Sequence, residues 1–203
     1  MTAPEGDAQL LEQIRRDDPA AFDHFVERYG DRIYGFGVRV CGEREDARDV
    51  VQDTLIQAFR SLKDLKEPKA LRSWLYRVAS NACLMKRRKG KFEPERELAL
   101  EELMPRGGDG AAFEIPDLSA LPDEALARSE ARRLVREAIA TLAPHYRIVL
   151  VMRDMEQLST REVSEALDLP ETAVKMRLHR ARLAVRQEIE AALRDAQPRG
   201  AES

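Results

Sequence analysis

A chain of 203 residues suits one large domain or two small ones. Its 43% hydrophobic and 35% charged residues, with only 5% aromatics, fit small helical domains with solvated faces. The net charge of −3 is unevenly spread: residues 1–92 carry +3, residues 93–127 carry −8 and residues 128–203 carry +2, so two mildly basic blocks flank an acidic connector and point to separate partners. Two cysteines without a CxxC argue against a disulfide framework or a structural zinc site, and no run approaches the ~20 apolar residues of a membrane span. Cys41 and Cys83 are expected as reduced, packed thiols. Met1 to Asp18 is acidic and polar, with no apolar stretch of the kind a secretory signal needs, so a soluble cytoplasmic protein is expected.

Almost every periodic stretch reads as helix, and no alternating strand pattern is present. Phe22, Phe25, Val26, Tyr29, Ile33 and Phe36 recur at helical spacing, up to a break at Gly42. Ala47, Val50, Val51, Thr54, Leu55, Ala58, Phe59 and Leu62 form a second stripe, and Lys63–Lys69 reads as a basic loop around Pro68. A third helix carries Leu71, Trp74, Leu75, Val78, Ala79, Ala82 and Met85, then runs into Lys86-Arg87-Arg88-Lys89. Residues 93–127 hold four prolines, three glycines and ten carboxylates, which cannot bury enough surface to offset their ordering entropy. They read as a flexible acidic linker carrying at most a short helix around Arg96–Leu103. Helix resumes at Ala125–Leu142, breaks at Pro144, and continues over Arg147–Met155; the final residues read as a disordered tail.

Three surfaces carry possible chemistry. Ser159 followed by Glu162 is a capping box that starts a helix at Thr160. Asp168-Leu169-Pro170 makes a tight turn, with Asp suited to the left-handed conformation and Pro170 pre-setting the next helix. On that helix Val174, Leu178, Ala181 and Val185 face one side, and Thr172, Lys175, Met176, His179 and Arg180 the other. This is the layout of a helix-turn-helix whose second helix enters the major groove; an ordinary helical hairpin with a solvated basic face is the alternative. In the third helix Leu71, Trp74, Val78, Ala82 and Met85 share one side, while Ser73, Tyr76, Arg77, Ser80, Asn81, Arg87 and Arg88 spread over the other. A ring, an amide and several cations on one face can stack an unpaired base and hold phosphate, or simply be solvated. Asp46, Asp49, Asp53 and Gln57, spaced by three, four and four, form an acidic ridge opposite the second stripe: a soluble face, or a dock for a basic partner. No HExxH, phosphate loop or GxSxG is present, the three histidines are scattered in sequence, and no ligand-rich loop accompanies the aspartates. The expectation is a protein with no catalytic, metal or cofactor site.

Together these stretches identify a resemblance to the extracytoplasmic-function (ECF, group IV) sigma factors of bacterial RNA polymerase, over about residues 8 to 192. Ala21-Phe22-Asp23-His24-Phe25 with Tyr29 resembles the family's first helix, and Glu45–Thr54 its core-polymerase-binding segment. Arg72–Asn81 is similar to its promoter-melting helix, and Leu142-Ala143-Pro144 with Leu158–Arg182 to its C-terminal helix-turn-helix. The resemblance implies an all-α fold of two small helical domains: sigma region 2 over residues 1–92, a flexible acidic linker over 93–127, sigma region 4 over 128–194 and a tail over 195–203. It also implies that Asp46, Asp49, Gln52 and Asp53 dock on the β′ clamp coiled coil of core RNA polymerase. Region 4 would meet the β flap. Arg72, Tyr76, Arg77, Asn81, Arg87 and Arg88 would meet and melt the minus-ten element of promoter DNA, Tyr76 and Asn81 matching the pocket positions for a flipped base and Leu62–Lys69 the capture loop. Lys175, Met176, Arg177, His179 and Arg180 would read the minus-thirty-five element. An anti-sigma factor is an expected partner, with no membrane insertion of the chain itself.

The chain departs from the family pattern where Thr172-Ala173-Val174-Lys175-Met176-Arg177 replaces the usual Gly-Thr-Val-Lys-Ser-Arg, where Gln157 stands for a common Gly, and where Met85 stands for a frequent Asp. These changes bear on the minus-thirty-five preference. A helix-turn-helix regulator without initiation activity is the alternative function, though it needs neither the acidic ridge nor the melting helix.

Overall fold

The computed structural model describes residues 4–89 and 125–196. Nearly all of the acidic linker, the short helix expected around Arg96–Leu103, and the tail from residue 197 lie outside them. Among the described residues there are helices and turns and no strand, as the periodicity predicts. Asp195 and Ala196, expected in the tail, still belong to the last helix.

The first group contains α1 (Pro4–Arg15), α2 (Ala21–Cys41), α3 (Arg44–Ser61) and α4 (Leu71–Lys89). Helix α2 is its axis. Ala21, Phe25, Tyr29, Ile33, Phe36, Val40 and Cys41 are buried at successive turns, so one side of the helix is continuously apolar. Phe25 and Tyr29 pack at 5.1 Å between ring centroids. The stripe of α3 lies against this face through Ala47, Val50, Thr54 and Ala58. The two backbones approach closely at Gly37, where a Cβ would stand 3.1 Å from Ala47 Cα; alanine is too large here without a backbone shift. Gly42 then ends α2 with φ of 90°, and its N–H donates to Val38 O.

Helix α1 has no counterpart in the sequence reading. Leu10, Leu11 and Ile14 are buried beneath it. Their spacing gives only one apolar turn in a polar segment. Tertiary contacts complete it: Tyr29 donates to Asp7 at 2.7 Å, Arg28 pairs with Asp7 at 3.1 Å, and Arg15 donates to the carbonyls of Leu65 and Lys66. Burial, and then the Asp7 carboxylate, push the Tyr29 hydroxyl far above its ordinary pKa, so it remains a donor. Arg15 ties down the loop after α3, which consists of two single 3-10 turns, Leu62–Asp64 and Pro68–Ala70.

The face assignment for α4 needs correction. Leu71, Leu75, Ala79 and Cys83 are buried together with Ser73, Tyr76 and Ser80, whereas Trp74, Val78 and Ala82 are half-buried and Met85 is 64% exposed. The inward side is rotated relative to the apolar stripe because α4 packs on more than α2 and α3. The C-terminal half of the chain covers its polar flank.

The cysteines also depart from expectation. Both are buried, as foreseen, but Cys41 and Cys83 form a disulfide that joins the end of α2 to α4, with Cα atoms 5.6 Å apart. They lie 42 positions apart in sequence, and two helices that pack side by side bring them together.

The second group contains α5 (Ala125–Thr141), α6 (Pro144–Leu150), a π-type turn (Val151–Met155), α7 (Thr160–Leu167) and α8 (Glu171–Ala196). Its core is Leu142, Tyr146, Ile148 to Met152, Leu158, Val163, Val174, Leu178, Ala181 and Val185, all buried. The capping box is present in both directions: Glu162 N donates to Ser159 Oγ at 3.1 Å, and Ser159 N to Glu162 Oε2 at 2.7 Å. Asp168 occupies the left-handed region with φ 53° and ψ 50°.

In oxidised protein, replacing Cys41 and Cys83 by serine should lower unfolding stability by about 2–4 kcal/mol, the usual range for closing a loop of this length. Urea denaturation with and without a thiol reductant measures it. An equal midpoint for the double variant and the oxidised parent would contradict a formed cross-link.

Candidate functional site

The acidic ridge lies where the spacing placed it. On α3, Asp49, Gln52, Asp53 and Gln57 are exposed and Asp46 is half-buried, all away from the buried stripe. The sequence reading missed a cation among them. Lys86 of α4 reaches across and donates to Asp49. That hydrogen bond holds the Lys86 ammonium above its ordinary pKa, and the charges of Asp49, Asp46 and Asp53 act in the same direction. A shallow groove runs between α3 and α4 beside the ridge. Asp53, Ile56, Gln57, Asn81, Met85 and Lys86 line it.

The expected melting residues are not on one surface. Asn81 lines that groove, and Arg77 is exposed. Tyr76 is five residues before Asn81, roughly 140° around the helix at about 100° per residue, and it is buried. Its ring packs on Phe36 at 5.1 Å and its hydroxyl donates to Glu156. Burial first, and then the Glu156 charge and hydrogen bond, drive the Tyr76 pKa far above its ordinary value, so the hydroxyl stays protonated. Arg72, half-buried, donates to the backbone carbonyl of Glu156 at 2.6 Å. The side chains of Arg87 and Arg88 lie outside the described residues.

Glu156 thus joins the two helical groups, and sequence gave no hint of it. The π-type turn puts it there. Its N–H donates to Val151 O, five residues back, at 2.9 Å. Gln157 then takes φ of 58°, the left-handed conformation that glycine adopts freely, so the common glycine suits this backbone and the glutamine is accommodated at some cost. The Gln157 amide donates to Asp154 O at 2.9 Å. Arg147 makes a second junction: it donates to Leu142 O at 2.9 Å and to Ala140 O at the end of α5, and to Val40 O at the end of α2 at 3.0 Å.

The helix-turn-helix has the anticipated geometry. Val163 and Ala166 of α7 and Val174, Leu178, Ala181 and Val185 of α8 are buried. Lys175 and Met176 are exposed, Met176 by 55%, while Arg177, His179 and Arg180 are half-buried. Arg180 donates to the Tyr146 hydroxyl at 3.3 Å. Arg182 fixes α8 to the preceding turn through a two-pronged pair with Asp154, at 2.9 and 2.6 Å. Among the described residues no group of His, Cys, Asp or Glu is arranged to hold a metal ion, and no helix is long and apolar enough to cross a membrane.

Residues 25–93 match sigma-70 region 2, and residues 132–185 match sigma-70 region 4. The chain is 32% identical to the RNA polymerase sigma-H factor of Pseudomonas aeruginosa, over 97% of this chain and all of that protein. The ECF RNA polymerase sigma factor SigW of Bacillus subtilis is 30% identical over 88% of this chain and 94% of its own length. The chain belongs to the extracytoplasmic-function sigma factors. In fold, this sigma factor resembles CnrH, solved in complex with the cytosolic domain of CnrY, with a TM-score of 0.60 at 24% identity, covering 94% of this chain and 99% of that one. It also resembles the sigma factor RpoE of Bartonella quintana, solved in complex with the anti-sigma factor NepR, with a TM-score of 0.60 at 16% identity, covering 84% and 98%.

Because Gln157 holds a left-handed conformation, Gln157→Val should destabilise this sigma factor by about 1–2 kcal/mol, and Gln157→Gly should leave it as stable or slightly more so. Thermal unfolding of the two variants measures the difference; a valine variant that melts with the parent would mean that the turn is not held in this conformation in solution.

Proposed function

We propose that the chain binds core RNA polymerase, directs it to specific promoters, opens the minus-ten element and starts transcription, acting in the cytoplasm without catalytic chemistry of its own. The division of labour follows residues 1–92 for region 2, 93–127 for the linker, 128–194 for region 4 and 195–203 for the tail. The observation that carries the reading is the pairing, in one chain, of an exposed carboxylate row on α3 with a helix-turn-helix on a separate group of helices. A protein that only bound DNA would need the second and not the first.

In this reading Asp46, Asp49, Gln52 and Asp53 meet a basic helical surface of the core enzyme. Lys86 occupies Asp49 beforehand, so docking exchanges one ammonium for another cation and the ridge is kept from binding cations at large. Arg72, Tyr76, Arg77, Asn81, Arg87 and Arg88 serve the minus-ten element. Lys175, Met176, Arg177, His179 and Arg180 serve the minus-thirty-five element, with Met176 able to touch a thymine methyl where a smaller hydroxyl side chain is usual. An anti-sigma factor that covers these surfaces belongs to the same proposal, since family membership supports it.

Run-off transcription with core polymerase on duplex and premelted promoters is the direct test. Initiation that depends on this chain is the expected result; DNA binding with an inert core enzyme would reduce it to a plain regulator. At residue level, Asp49→Arg and Asp53→Arg should each weaken retention by core enzyme at least several-fold with helical content intact, because an exposed charge reversal at a docking ridge removes attraction and adds repulsion. Unchanged retention of both variants in a pull-down would remove the ridge from the interface. Asn81→Ala should impair opening of duplex promoters more than binding to them, as seen by permanganate reactivity of unpaired thymines. Arg180→Ala should cost about 1–3 kcal/mol on the cognate minus-thirty-five element and little on a scrambled one, measured by fluorescence anisotropy.

A further inference from the structure

The contact between the two helical groups has the chemistry of a nucleic-acid site filled by a protein side chain. Glu156 is nearly buried, with 12% of its side chain exposed, and its carboxylate accepts from α2 and from α4. Oε1 accepts from Arg39 Nη1 at 2.8 Å, Oε2 accepts from the Tyr76 hydroxyl, and the backbone carbonyl accepts from Arg72 Nη2 at 2.6 Å. Two guanidinium groups and a phenol that remains a donor make a pocket for an anionic oxygen backed by an aromatic ring. Those are the groups that hold the phosphates and bases of an unpaired strand. Arg39 comes from α2 and no sequence motif marked it. The disulfide Cys41–Cys83 ties together the two helices that supply the pocket, two residues from Arg39 on α2 and two turns from Tyr76 on α4.

We infer that the pocket of Arg39, Arg72 and Tyr76 takes the single strand of opened promoter DNA, and that in the free chain Glu156 occupies it as a built-in competitor. The identity of the strand rests on the function proposed above; the closure of the chain on itself does not. The tie borders solvent at Arg39. Arg39 keeps 37% of its side chain exposed, so its charge is readily rehydrated when the halves part. At a second junction Arg147 donates to the Val40 carbonyl. Glu156 stands at the end of the π-type turn, where its N–H donates to Val151 O, and is followed by the left-handed Gln157.

The test uses the full chain. Small-angle X-ray scattering of the free protein should show Glu156→Ala more extended than the parent, with unchanged helical content by circular dichroism. The charge exchange Arg39→Glu with Glu156→Arg should restore the compact form, which Arg39→Glu alone should lose. Identical scattering of the parent and Glu156→Ala would overturn the closure. Anisotropy with a short fluorescein-labelled single-stranded oligonucleotide of mixed sequence should show about five- to tenfold tighter binding by Glu156→Ala, the gain expected when a competitor that fills most of the population is removed. Adding Arg39→Ala to that variant should abolish the gain. An opened chain with unchanged single-strand affinity, or a gain that survives loss of Arg39, would overturn the pocket. Run-off transcription by the parent on a premelted promoter separates the two ideas: its failure would sink the sigma-factor function and leave the scattering result standing.

Discussion

Helix α2 is the constraint on which the rest of the structure depends. Its buried residues from Ala21 to Cys41 give every neighbour a surface: α1 lies over Tyr29, α3 against Gly37, α4 against Phe36 and Cys41, and the second group of helices caps its last turn through Arg147. A helix with one continuous apolar side cannot remain solvated, and its length fixes how many partners it can hold. The acidic ridge is a consequence. Once the Ala47, Val50, Thr54 and Ala58 side of α3 is committed to α2, Asp49, Gln52 and Asp53 have no direction left but solvent.

The two kinds of contact in the molecule differ in chemistry. Inside each group of helices the contacts are apolar and close, so separating them would expose surface at about 25 cal/mol per Å². Between the groups, the named contacts are charged or polar: Glu156 with Arg39, Arg72 and Tyr76, and Arg147 with a carbonyl. Water replaces such partners well, whereas it does not replace a buried phenylalanine.

Local chemistry was written plainly in the chain. The period of 3.6 in Phe25 to Phe36 and in Ala47 to Leu62, the Ser159–Glu162 capping box, the left-handed Asp168 and the inward row Val174, Leu178, Ala181 and Val185 all follow from interactions within a few residues, and all are present in the structure. The order of the motifs was enough for the family, because each motif is a short helical segment read in sequence.

What sequence alone determined is therefore the set of helices α2 to α8, the exposed carboxylates of α3, the basic outer side of α8 and the family. Tertiary structure decided which sides of α1 and α4 are buried, since Leu10, Leu11 and Ile14 form too short a stripe to announce a helix and α4 packs on several neighbours at once. It decided that Cys41 and Cys83 are joined, that Lys86 reaches Asp49, that Tyr76 and Asn81 face different ways, and that Glu156 rests in the pocket of Arg39, Arg72 and Tyr76. These pairings link residues 37 to 117 positions apart, or depend on packing that does. Periodicity reports only on neighbours three and four residues along a helix, and a charge or a thiol carries no local sign of the distant group that packing will place beside it.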